Sequence, residues 1–141
     1  MSVKQVAVLF YGSFMRPEVM AQAGFVPQKI EVARLSGYDI CLDPHANIFP
    51  HSTASIYGIV VYPTHTELER MYGASGIGSF LPEAVLVTTT EMRFLPVLCF
   101  MPPHRNHQAP DHAYLKRLIA AAQLQGLPFE YIARLEAFKG A

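Results

Sequence analysis

Val6-Ala7-Val8-Leu9-Phe10 is an uninterrupted apolar run that stops at Tyr11-Gly12-Ser13. A short run of this kind ending at a glycine predicts a strand followed by a tight turn. Pro17 and Glu18 then open a short helix through Met20 and Ala23, since proline costs nothing at a first helical turn, where its missing N–H has no partner to lose. From Lys29 to Leu35 the apolar positions Ile30, Val32 and Leu35 alternate with polar ones, and Gly37 separates them from Tyr38–Leu42. That pattern predicts a bent strand or a hairpin. Residues 43–55 hold two prolines and several polar side chains around Ile48-Phe49, and they read as a long loop.

Ile56–Tyr62 is the next strand, with Gly58 where a side chain would obstruct packing. Thr64-His65-Thr66-Glu67 fits a capping box, in which the threonine hydroxyl and the glutamate carboxylate each take one free backbone N–H. The helix it starts turns Leu68 and Met71 inward and ends at Gly73. Glu83–Thr89 and Met92–Met101 form a strand pair, and His104–Pro110 is a polar loop. Asp111 caps a helix with Tyr114, Leu115, Leu118, Ile119 and Ala122 on its apolar face, which Gly126 ends. Pro128 begins a last helix carrying Tyr131, Ile132, Leu135 and Phe138. Strands dominate the first hundred residues and helices the end, so the class is α+β with a closed or nearly closed sheet. Residues 1–141 read as one domain.

Composition narrows the partners. Hydrophobic residues make up 51% and charged residues 16%, and eleven basic side chains balance eleven acidic ones. A chain without a concentrated positive field is not built for nucleic acid or an anionic membrane surface. No apolar stretch approaches the ~20 residues that span a bilayer, and the N-terminus has no secretory pattern. Cys41 and Cys99 lie in apolar segments without metal or disulfide spacing, as buried cysteines of a reducing compartment do. The expectation is a cytoplasmic protein whose partner is a small molecule. His104, His107 and His112 lie close together, but their spacing matches no zinc pattern and no metal is assigned. His45, His51 and His65 are scattered and receive no role. The oligomeric state stays open.

Three separated segments resemble the γ-glutamylcyclotransferase-like (plant AIG2-like) family. They are Phe10-Tyr11-Gly12-Ser13-Phe14, then Ile56–Tyr62 with its capped helix, and the run from Pro110 through Tyr114 to Gly126-Leu127-Pro128, Glu130-Tyr131 and Leu135. The resemblance implies a small mixed β-barrel flanked by helices. It also implies cleavage of a γ-glutamyl amide to 5-oxoproline and free amine, with no metal and no cofactor. In such a reaction the substrate's own α-amine attacks its γ-carbonyl, so the protein supplies a base and donors for the developing oxyanion. The resemblance places substrate at Tyr11, Gly12, Ser13 and Phe14, with Tyr114 lining the pocket.

The family's base is a glutamate in a Leu-Asp-x-x-Glu-Gly pattern, and this chain reads Leu68-Glu69-Arg70-Met71-Tyr72-Gly73 there. Tyr72 stands at the catalytic position, and a tyrosine of ordinary pKa near ~10 is a poor base at neutral pH. Glu83, within the apolar strand Phe80–Val87, is the candidate for a relocated base. Glu69 is expected to face solvent or to pair with a nearby base. Three readings remain open: a cyclotransferase using Glu83, a related acyl-transfer enzyme, and a non-catalytic module binding a γ-glutamyl-like carboxylate.

Overall fold

Val8-Leu9-Phe10, strand β1, is buried on both faces, and so is the stretch Ile59-Val60-Val61 that it pairs with antiparallel. Strands covered on both sides need no polar alternation, which is why both segments read as continuous apolar runs. The computed structural model describes residues 4–74, 80–102 and 107–140. In chain order its elements are β1 (Val8–Phe10), a 3-10 turn (Ser13–Met15), α1 (Pro17–Gln22), β2 (Glu31–Leu42) and β3 (Ala46–Val61). Then follow α2 (His65–Ala74), β4 (Leu81–Thr89), β5 (Phe94–Met101), α3 (His112–Gln125), α4 (Phe129–Glu136) and a final 3-10 turn, Ala137–Gly140.

The five strands close into a barrel in the order β1-β3-β2-β4-β5. Every pairing is antiparallel except the closing one, where Val8 meets Leu98 and Leu9 meets Cys99 in parallel register. The small mixed barrel with flanking helices is therefore present. Burial of Leu9, Ile40, Ile56, Ile59, Met71, Leu115 and Leu135 anchors it, each contributing about 1.5–3 kcal/mol of removed apolar surface.

Two segments differ from their sequence reading. Residues 46–55, expected as loop, belong to β3, where Ile48 pairs with Ile40 and Phe49 with Asp39. Polar, exposed side chains between His51 and Thr53 interrupt the apolar pattern of a strand whose paired stretches, Ala46–Pro50 and from Ser55 on, lie on either side of them. The segment 31–42 is one strand, bent by a register shift between Ser36 and Tyr38, where Gly37 takes φ +87°. Its buried face carries Glu31, Ala33 and Leu35, while Ile30 is exposed.

The helix signals are met at atomic detail. Thr64 N–H donates to Glu67 Oε1 at 2.8 Å, and Glu67 N–H donates to Thr64 Oγ1 at 3.2 Å. Asp111 Oδ1 accepts the Tyr114 N–H at 3.1 Å, and Gly126 closes α3 in the left-handed region at φ 78°. The expected apolar face of α3 is buried, as are Tyr131 and Leu135 of α4. No helix among the described residues is long and apolar enough to cross a membrane.

Candidate functional site

The chain leaving β1 turns at Gly12 into the 3-10 turn, and this corner forms the floor of a cavity of about 520 Å³. Tyr11, Gly12, Ser13, Phe14, Tyr72 and Tyr114 all line it. Tyr114 organises the corner. Its hydroxyl accepts the Ala46 N–H at 3.2 Å and is hydrogen-bonded by the Ser13 side chain, and a methyl on Gly12 would meet it at 3.2 Å. A side chain there would press on the phenol, so glycine leaves the hydroxyl its place under the turn. On the other side, Gln125 Nε2 donates to Met15 O at 2.8 Å and ties α3 to the turn.

Tyr11 and Tyr72 are neutral phenols. Tyr11 donates its hydroxyl to Phe100 O at 2.8 Å, and burial, aided by the neighbouring Cys99, drives its pKa far above the ordinary tyrosine value. Burial does the same to Tyr72, again with a smaller push from Cys99. The Tyr72 ring stacks on Phe100 with centroids 4.0 Å apart and meets Phe14 edge-on at 5.3 Å. Phe10 lies against Phe14 at 5.1 Å. The position that resembles the family's catalytic one is thus part of an aromatic wall.

Glu83 does not line the cavity. It is exposed on β4 opposite Cys99 of β5, and its charge is felt by the Cys99 thiol, which burial first and Glu83 second push up to about 12. Burial and then Glu83 also raise the pKa of Tyr38. Glu69 is exposed. Residues outside the described ones carry no Asp or Glu side chain, and no described carboxylate lines the cavity.

Sequence reasoning missed the polar rim. His45 and Arg117 line the cavity beside Tyr114, the His45 ring lying 4.5 Å from the Tyr114 ring. Arg117 follows Tyr114 by three positions on α3, so helical spacing alone places it near that tyrosine. His45 has no comparable sequence signal, because its place depends on the β2–β3 turn packing against α3. Phe80 and Phe100 extend the apolar wall. Among the described residues no three of His, Cys, Asp and Glu gather to hold a metal ion, and His104 lies outside them.

No protein-family model matches the sequence, and no curated protein matches it either. Solved structures do. A γ-glutamyl cyclotransferase aligns at TM-score 0.78 and 20% identity over 95% of this chain and 88% of its own. The fold is that of the γ-glutamylcyclotransferase-like proteins. An uncharacterized human protein, loc79017, aligns at TM-score 0.80 and 21% identity over the same shares, 95% and 88%. A yeast γ-glutamyl cyclotransferase specific to glutathione aligns at 0.63 and 12% identity, over 96% of this chain and 95% of that one.

Proposed function

We propose that the cavity at Tyr11–Phe14 binds a small γ-glutamyl compound and that the chain releases its amine by cyclisation to 5-oxoproline. The observation that carries this reading is the corner itself. On a fold shared with γ-glutamyl cyclotransferases, a backbone turn with no side chain at Gly12 lines a cavity of substrate size. Turn amides serve there as donors to the γ-carbonyl oxygen as it becomes an oxyanion. Arg117 faces the ligand's α-carboxylate, and the aromatic wall takes the carbon chain and the leaving amine. Intramolecular attack needs neither metal nor cofactor, and the reading places the protein in the cytoplasm.

The absence of a lining carboxylate favours a second reading, a non-catalytic module that holds the same class of ligand. Release of 5-oxoproline from γ-glutamyl amino acids, γ-glutamyl amines and glutathione separates the two. Turnover of any member supports the enzyme. Binding of 5-oxoproline or a γ-glutamyl amide by calorimetry, without turnover, selects the module.

A further inference from the structure

We propose that His45 is the proton acceptor of this site and that Asp111 is its positioning carboxylate, an assignment that rests on the cyclisation reading. His45 is exposed, but the turn that carries it is held at several points. Asp43 N–H donates to His45 O at 2.8 Å, and Asp111 N–H donates to Pro44 O at 3.2 Å. Asp43 Oδ1 accepts the Gln108 N–H at 2.7 Å, and the next residue, Ala46, bonds Tyr114. The imidazole is thereby laid against the Tyr114 ring at the cavity rim. Its Nε2 is 3.7 Å from Asp111 Oδ2. With that nitrogen turned to the carboxylate, Nδ1 is left to take a proton.

Among the described residues, His45 is faced by Asp111 and, from the same helix, neutral Tyr114, with cationic Arg117 lining the same cavity and Asp43 two residues away in its own turn. Among the described side chains lining the cavity, His45 is of the type that most often serves as a general base. The tyrosines are pushed upward by burial and arginine does not give up its proton. Asp111 is already committed to capping α3 through Oδ1, which leaves Oδ2 for the imidazole.

The step balances without a co-reactant. His45 takes one proton from the substrate's α-ammonium, and the freed amine forms a bond to the γ-carbonyl carbon. The tetrahedral centre then collapses, the bond from that carbon to the leaving nitrogen breaks as the proton on His45 passes to it, and the ring nitrogen gives up its second surplus proton to the released amine, which departs as an ammonium. The products are 5-oxoproline and the free amine.

The test is 5-oxoproline release from the γ-glutamyl panel by wild type and by His45→Gln, His45→Ala, Asp111→Asn and Glu83→Gln. Loss of a general base costs about 10²–10⁴-fold in rate. His45→Gln is expected to lower kcat by at least ~100-fold while its affinity for 5-oxoproline, read by calorimetry, stays near wild type. Added imidazole is expected to restore part of the turnover of His45→Ala. Asp111→Asn keeps the cap and removes the charge beside the imidazolium. It is expected to move the acid side of the kcat–pH profile to lower pH with KM unchanged. Undiminished turnover in His45→Gln overturns the assignment while cyclisation stands, and loss in Glu83→Gln alone gives the role to that residue. No 5-oxoproline from wild type on any substrate overturns cyclisation and the assignment together.

Discussion

Gly58 fixes how closely β1 lies on β3, and replacing it tests whether the binding corner depends on that contact. A methyl built on Gly58 overlaps the carbonyl oxygen of Phe10 and comes within 3.1 Å of its carbon and 3.2 Å of Leu9 Cδ1. The two nearest obstructing atoms belong to the backbone of β1, so no side-chain rotation relieves them. To reach the ~3.3 Å of the closest ordinary carbon–oxygen contacts, β1 has to recede by roughly 1 Å. Overpacking of this kind costs about 2–3 kcal/mol, which in a domain this size lowers Tm by about 6–12 °C. The shift is passed directly to Tyr11 and Gly12, one and two residues beyond Phe10. A displacement of ~1 Å at a substrate-positioning segment costs up to about 10²-fold in rate.

Thermal unfolding and 5-oxoproline affinity of Gly58→Ala, beside Gly73→Ala, provide the assay. A methyl on Gly73 meets nothing within 4 Å, and Gly73 lies in α2. That variant is expected to hold or gain stability, by up to ~1 kcal/mol from helix propensity. If Gly58→Ala unfolds at the wild-type temperature and binds ligand as well as wild type, the close β1–β3 approach does not position the corner.

Three further outcomes are expected. Tyr72→Phe keeps the stack on Phe100 and changes stability by less than ~1 kcal/mol, whereas Tyr72→Ala loses roughly 3 kcal/mol by urea denaturation as the aromatic wall opens. Tyr114→Phe leaves the buried Ala46 N–H without its acceptor, so it costs about 1–3 kcal/mol and weakens ligand binding at the corner. The Asp111 carboxyl is held below its usual range, chiefly by the Tyr114 amide and against the loss of hydration, with the Ala113 amide, His45 and Arg117 also lowering it. A depressed carboxyl stabilises the fold above its unfolded value near ~3.9 and loses that contribution as pH falls through the folded value. Asp111→Asn retains the cap, so its Tm is expected to fall less steeply than that of wild type below about pH 4.

Local signals carried most of the helices, because caps act within one turn. Thr64 with Glu67, Asp111 and Gly126 announce their elements without help from the rest of the chain. The second half of β2 and the first half of β3 were harder, since their pairing is a property of two segments together. Ala46–Pro50, followed by polar residues, looks like loop until Tyr38–Leu42 is brought alongside. The facing of Glu83 was undecidable for a related reason. Leu86 and Phe94 are apolar and exposed on the β4–β5 pair, so alternation along β4 does not separate inside from outside. The turn at Tyr11–Phe14 was legible as a motif, and His45 was not, because nothing near it in sequence reports that it meets α3.

Tyr72 shows why the reactive group and the binding corner need not stay together. Its ring is packed among Phe10, Phe14 and Phe100. A carboxylate in that surrounding would lose its hydration with no cation from the described cavity lining against it except Arg117, which belongs to α3. A neutral aromatic ring is the stable occupant, and it turns one side of the cavity into an apolar wall. In the proposed reading, charge and proton exchange fall to His45 and Arg117, which line the cavity, with Asp111 beside His45. A ligand with one apolar end and one carboxylate has a single favourable orientation in such a cavity. On the proposed reading its charged end would lie beside His45 and Arg117 and its carbon chain along Tyr72 and Phe100.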